Sequence, residues 1–374
     1  MRKKKILILY STAGMGHKKA ANALYHTFKT RDDVVVENVD VLEYANNFYK
    51  FLYLDFYIFL MSKAKWLWGI GYYLSNSKVF DSLTRWIRGL SDYLGLRELD
   101  KTIYKKNPDA IIATHFFLPS ILRFLKKNKK LTAKTYTIIT DYGPHSFWLS
   151  EHIDKFFVGS NFTLEKLSER GIRKEKIVAS GIPTEIEFSE NENIDMLKKE
   201  YKLDRAKKTI FLMNGGFGIG PMGEILLSLN SCKAPIQVIT VCGHNKQVFE
   251  NIDNMKETLN YPIMLFGFTD KVSEIMSISD IMVTKAGGVS TTEALNSILP
   301  MILFGSIPGQ ETWNEQFLLE NKASEKADRI SDIPVIADRI LISEDAYDYY
   351  KKGIKAIRKP NAAQDIVDVI LGEI

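Results

Sequence analysis

KILILYSTAGMGHKKAANALYHTFK, residues 5–29, is the stretch that decides the fold. Lys5-Ile-Leu-Ile-Leu-Tyr10 is a short β-rich apolar run, and Ser11-Thr-Ala-Gly-Met-Gly-His17 is a glycine turn. From Lys18 to Lys29 the apolar residues Ala20, Ala21, Leu24 and Phe28 recur at helical spacing. Strand, glycine turn and helix in that order begin a parallel βαβ unit. The alternation returns at Val34–Val39, Ala110–Ala113, Thr135–Thr140 and Phe156–Val158. A second series opens at Thr209–Met213 and passes through Ile236–Val241, Ile263–Phe266, Ile281–Thr284 and Met301–Phe304. The expectation is an α/β chain with two doubly wound sheets.

At roughly 150 residues per domain, 374 residues suit two domains. The polar stretch Ser189-Glu-Asn-Glu-Asn193 and the helix-like Met196–Tyr201 put the linker near residue 188, giving domains 1–187 and 188–374. Two Rossmann-like domains facing across a cleft make a GT-B type architecture, with ligands at the carboxyl ends of the strands. The C-terminal helix has the option of packing back on the first domain. An apolar content of 45% excludes disorder. Cys232 and Cys242 are too few for a disulfide framework, lack zinc-site company and suit a reducing compartment. The start, MRKKKILILY, is charged but runs into a strand and a glycine turn without a cleavage pattern, so it does not read as a signal peptide.

Charge is divided unevenly. Residues 1–187 hold 30 basic and 19 acidic side chains, and residues 188–374 hold 20 and 26. The basic half suits an anionic partner, either nucleic acid or a membrane surface. Twelve of the thirty residues from Tyr44 to Tyr73 are aromatic, interrupted by Lys50, Asp55, Lys63 and Lys65. Aromatic rings beside lysines match the headgroup boundary of a bilayer, while the basic residues are too sparse for a nucleic-acid stacking platform. The apolar run Phe56–Met61 is far short of the roughly 20 residues of a spanning helix. The competing reading is an aromatic-rich core or dimer helix.

Gly14-Met-Gly16 opening a helix is able to offer free backbone N–H groups to a phosphate or a sugar. His17 follows on the first turn, where the charged imidazole is disfavoured; this suits a general base, and the alternative is a structural hydrogen bonder. In the second half, Gly215, Gly216, Gly218 and Gly220 follow a strand directly, the composition needed where backbone wraps a phosphate or ribose. Thr284-Lys-Ala-Gly-Gly288 opens another helix, at whose start a diphosphate fits. Glu293 on its early turns is able to accept both ribose hydroxyls, or simply to complement the helix dipole. Pro308-Gly-Gln-Glu-Thr-Trp-Asn314 supplies Gln310, Glu311 and Asn314 as candidates for sugar hydroxyls.

The pieces GMGHKKAANAL, TDYGPHSFW, SGIP, NGGFGIGP, VCGHN, TKAGGVSTTEAL and PGQETWN, in this order from residue 14 to 314, resemble the monogalactosyldiacylglycerol synthase and processive diacylglycerol glucosyltransferase group of glycosyltransferase family 28. The resemblance implies a metal-independent, inverting transfer from UDP-glucose or UDP-galactose to the 3-hydroxyl of diacylglycerol, with no cofactor and no nucleic acid. It implies a peripheral enzyme on the cytoplasmic face of the cell membrane, docked by an aromatic insertion at about 44–104 on an anionic surface. His17 is then the base or acceptor-orienting residue and Asp141 a rival base, with Gly16, His145 and Trp148 at the acceptor. Gly215, Gly216, Gly218, Lys285, Ala286, Gly287, Gly288, Glu293, Gln310, Glu311 and Asn314 hold the donor. The chain departs from the family at Pro183-Thr184-Glu185, where Pro-Ile-Arg is usual; a glutamate facing donor phosphates repels them.

The alternatives are an N-acetylglucosamine transferase acting on the lipid-linked peptidoglycan precursor, a UDP-sugar 2-epimerase and a non-catalytic UDP-sugar sensor. The aromatic insertion and the GQE form of the third loop argue against the first, and a soluble substrate needs no such insertion.

Overall fold

The computed structural model describes residues 2–12, 14–51, 64–129, 131–189 and 193–374. The run Phe56–Met61 and residues 190–192 of the expected linker lie outside the described residues. The chain divides into two compact units. One comprises Met1–Glu185, Ile307–Trp313 and Asn361–Ile374, and the other comprises Ile186–Ser306 and Asn314–Pro360.

In the first unit, β1 (Lys4–Tyr10), β2 (Val34–Asp40), β3 (Ala110–Ala113), β4 (Lys134–Ile138), β5 (Lys155–Phe157) and β6 (Ile177–Val178) form a parallel sheet of order β2-β1-β3-β4-β5-β6. Alternation along β1 supplies both faces. Leu7 and Leu9 pack with Ile111, Ala113, Leu99 and Ile103, whereas Ile6 and Ile8 pack with Ala21, Leu24 and Phe28 of helix Met15–Lys29. Helix Ala362–Glu373 completes this second face through Ala363, Ile366, Val367 and Ile370. Each of the buried Leu, Ile, Val and Phe side chains is worth about 1.5–3 kcal/mol over leaving it in water.

In the second unit, β7 (Lys208–Met213), β8 (Ile236–Val241), β9 (Ile263–Phe266), β10 (Ile281–Thr284), β11 (Met301–Leu303) and β12 (Ser324–Lys326) run parallel in the order β12-β11-β10-β7-β8-β9. Ile210, Leu212, Val238, Ile281 and Val283 meet Met222, Ile225 and Leu226 from one helix and Ile333, Ile336 and Ile340 from another.

The insertion between β2 and β3 carries helices Lys65–Ser75, Lys78–Gly95 and Arg97–Lys106. Its aromatics divide by environment. Tyr49 is buried and donates to Asp92 Oδ1 at 3.0 Å, and Tyr72 is buried as well. Phe48, Phe51, Trp66 and Tyr73 are exposed together with Leu67, Ile70 and Leu74. Among the described residues no helix is long and apolar enough to cross a membrane.

Candidate active site

In the first sheet the chain leaves β1 for β2 on one side and returns to β3 on the other, so the loops after β1 and β3 diverge at this switch point. Ligands of open α/β sheets bind at such a place. The loop after β1 leads through Gly14, the extended N-cap of helix Met15–Lys29, which supplies no side-chain cap. A Cβ on Gly14 would lie 2.8 Å from His17 Cδ2, so glycine is what admits the His17 ring. Thr140, just past β4, sets its Oγ1 3.0 Å from His17 Nδ1. His115, from the loop after β3, meets the His17 ring edge-on at 4.3 Å between centroids. Burial lowers the His17 pKa from 6.5 to about 4, against a backbone hydrogen bond at Thr114 that raises it. His17 is therefore neutral at pH 7.

His17 shares a cavity with Asp141, Trp68, Tyr72, Ser75, Phe116, His145, Trp148 and Gln310. Trp148 is buried, 6.1 Å from His17 between ring centroids. His145 Nδ1 accepts from the Phe147 N–H at 3.1 Å, which puts the imidazole proton on Nε2. Nε2 faces the Tyr72 carbonyl and Ser75 Oγ, each at 3.2 Å. The next residue repeats the tie: the Ser146 N–H donates to Asn76 Oδ1 at 2.9 Å, which also accepts from Arg170 Nη1 at 2.7 Å. Loop 140–148 is thereby fastened to the C-terminal end of helix Lys65–Ser75. Tyr72, Asn76, His115 and Arg170 were not anticipated from sequence. A histidine one residue beyond Thr114, which closes the apolar run Ala110–Ala113, was the available signal for His115.

In the second sheet the switch point lies between β7 and β10. The loop after β7 has Gly215, Gly218 and Gly220 at φ +68°, +54° and +149°. A Cβ on Gly218 would stand 2.2 Å from the Cys242 carbonyl oxygen, and one on Gly243 2.2 Å from that of Gly216. The His244 N–H donates to the Gly216 carbonyl at 3.0 Å, and His244 stacks on the half-exposed Phe268 at 4.3 Å and 15°. Lys285, after β10, brings its Cε 3.4 Å from where a Gly215 Cβ would stand. Ala286 and Gly287 lead into helix Gly288–Asn296, which begins without a side-chain cap or an acidic first turn, and Glu293 is buried within it.

The third loop is divided between the two groups of residues. Gln310 lines the cavity with His17. Glu311 Oε2 accepts from the Ile307 N–H at 2.7 Å, and Asn314 Nδ2 donates to the Ala286 carbonyl at 2.9 Å. These two contacts brace backbone. Glu185 has its Oε1 2.9 Å from His26 Nδ1, on the helix that carries His17. Among the described residues no group of three or more His, Cys, Asp or Glu is placed to hold a metal ion.

Residues 17–184 match the monogalactosyldiacylglycerol (MGDG) synthase family, and residues 209–327 match the glycosyltransferase family 28 C-terminal domain. The processive diacylglycerol beta-glucosyltransferase of Bacillus pumilus (strain SAFR-032) is 28% identical over 374 residues, 98% of this chain and 94% of that protein. Among solved structures, the S. aureus MnaA–UDP co-structure superposes with a TM-score of 0.65 at 14% identity, over 98% of this chain and 96% of that one. MurG of Acinetobacter baumannii does so at 0.59 and 14%, over 99% of both. The fold is GT-B-like, built from two Rossmann-like α/β domains. The chain belongs to the MGDG synthase and processive diacylglycerol glucosyltransferase group of glycosyltransferase family 28.

Proposed function

We propose that the protein is an inverting hexosyltransferase that moves glucose or galactose from a UDP-sugar to the 3-hydroxyl of 1,2-diacylglycerol. The observation that carries this reading is the cavity holding His17 and Asp141, walled by a helix that also exposes Trp66, Leu67, Ile70 and Leu74. A lipid hydroxyl needs a base inside and an apolar surface outside; the cavity offers His17 and Asp141 for the first, and this helix offers its exposed side chains for the second.

The acceptor oxygen attacks the anomeric carbon as the bond to UDP breaks, and its proton passes to His17 or to Asp141. With Nδ1–H of His17 donating to Thr140 Oγ1, Nε2 is the nitrogen that takes the proton. Negative charge builds on the departing UDP. Lys285 and the open N-terminus of helix Gly288–Asn296 are suited to meet it, and Glu293 to hold the ribose. The His244–Phe268 stack suits the base as a flat apolar platform. The exposed apolar side chains and the basic first half suit peripheral docking on an anionic membrane surface, at the cytoplasmic face.

The test is release of UDP from UDP-glucose and from UDP-galactose, with and without diacylglycerol vesicles, followed by separation of the lipids. A glycolipid whose formation tracks UDP release supports the reading. UDP release that ignores diacylglycerol, or UDP-sugar consumed without a glycolipid, sinks it.

A further inference from the structure

Tyr72 is 6% exposed, and its phenolic oxygen is buried with no hydrogen-bond partner among the described residues. Leaving such a group unsatisfied is costly, so a buried hydroxyl on a residue that lines a cavity is a position waiting for a ligand oxygen. The cavity it lines is the one that holds His17 and Asp141. The ring is fixed from several sides. It lies 4.4 Å from the His145 ring, its own carbonyl faces His145 Nε2, and the loop above it has Gly309 at φ +105°, where a Cβ would come within 2.7 Å of Tyr72 Cγ. A side chain held this firmly keeps its hydroxyl in one place. Burial and the charge of Asp141 raise its pKa, so the phenol stays protonated and acts as a donor.

We infer that Tyr72 recognises the lipid acceptor by donating a hydrogen bond to an ester carbonyl of its glycerol backbone, an inference that rests on the acceptor being diacylglycerol. The chemistry of that lipid narrows the partner. Its free hydroxyl is the nucleophile, and a donor placed on it would lower its reactivity just as it must attack. The strong acceptors that remain are the two ester carbonyls. The same helix turns Ile70, Tyr73 and Leu74 outward, so an ester held at Tyr72 would leave its acyl chains beside an apolar surface. Tyr72 thereby selects for the ester linkage and sets the distance from it to the base.

The experiment compares wild type with Tyr72→Phe, which keeps the ring and removes only the oxygen. The two acceptors are dioctanoylglycerol and its dialkyl ether analogue, which lacks the carbonyls. With the ester acceptor, Tyr72→Phe should lower kcat/KM by about tenfold while the KM for UDP-sugar and the melting temperature stay within error or the latter rises. The ether acceptor should cost the wild type a similar factor and cost the variant nothing further, the non-additivity of a shared contact. Equal losses with the ether in both proteins would overturn the assignment, as would wild-type kcat/KM for the ester in Tyr72→Phe. If wild type transfers sugar to neither acceptor, the reading of the substrate fails and this inference fails with it; transfer by wild type with an indifferent variant removes Tyr72 alone.

Discussion

His17 and His115 meet edge-on, ring centroids 4.3 Å apart and planes inclined at 64°. Two imidazolium ions cannot share that space, and burial lowers both pKa values, with the charge of His17 adding to the effect on His115. The unfolded chain binds these protons near pH 6.5 and the folded chain does not. Stability is therefore full above about pH 6.5 and falls as the pH drops toward 4, by up to roughly 3 kcal/mol from His17 alone. Urea midpoints at pH 7 and pH 4.5 measure it. His115→Phe, which preserves an aromatic ring, should remove the His115 part of this dependence and leave that of His17, and an unchanged slope would show that His115 adds nothing to it.

The lowered pKa of His17 also sets the shape of the rate profile. A base already neutral at pH 5 puts the acid limb of kcat/KM well below 6.5. His17→Ala should cut glycolipid synthesis by ~10²–10⁴-fold and leave UDP binding nearly intact, since the glycine loops and Lys285 belong to the other unit. Asp141→Asn decides between the two bases. A dead Asp141→Asn beside a near wild-type His17→Ala at saturating diacylglycerol assigns the proton to Asp141.

Gly218 and Gly243 interlock the loops after β7 and β8, each standing where a Cβ would be 2.2 Å from the carbonyl oxygen of the other loop and each at a positive φ. Alanine at either position should weaken UDP binding and cost on the order of 1–3 kcal/mol of stability, since strain and a backbone clash act together. Calorimetric titration with UDP, alongside melting temperatures, checks both. Gly171, at φ +94° but in open space, is the control: Gly171→Ala should leave UDP binding unchanged.

The two sheets were legible because buried parallel strands are written as short apolar runs, and ten of them could be read directly, four with the observed bounds. Those missed have physical reasons. Ile177–Val178 is two residues long, and Ser324-Glu-Lys326 is a polar edge strand held by pairing with Met301–Leu303. The units divide at Glu185/Ile186, and the return of Ile307–Trp313 to the first unit depends on tertiary packing that no local composition records. Glycine loops mark the candidate site through their composition. Tyr72 and His115 do not, since a buried hydroxyl and a buried imidazole become notable only when their surroundings are known.

Asn76 is the knot between the loop 140–148 and helix Lys65–Ser75: its Oδ1 accepts from both Ser146 N–H and Arg170 Nη1, and its carbonyl accepts from Ser146 Oγ at 3.0 Å. Asn76→Ala removes the side-chain acceptor and leaves the Arg170 guanidinium and the Ser146 amide without it. The expected result is a several-fold rise in the KM for diacylglycerol with little change in that for UDP-sugar, and a loss of about 1–3 kcal/mol in stability. Equal changes in both KM values would mean that the knot serves the whole domain and not the acceptor side.

The exposed face of helix Lys65–Ser75 has a different signature from the charge of the first half. Trp66 is 69% exposed, Leu74 57% and Ile70 50%, and their transfer into an interface is a hydrophobic gain that salt does not screen. The surplus of 30 basic over 19 acidic side chains in residues 1–187 acts through Coulomb forces with a range of about 10 Å at 0.1 M salt. Binding to vesicles containing anionic lipid should accordingly weaken in high salt without vanishing. The double variant Trp66→Ser, Leu74→Ser should lose the salt-resistant part, at least tenfold in partitioning, while retaining the salt-sensitive part and the melting temperature of the wild type. Both side chains already face water, so the folded state has little to lose. Sedimentation with sucrose-loaded vesicles at low and high salt separates the two contributions; wild-type partitioning of the variant at high salt would remove this helix from the docking surface.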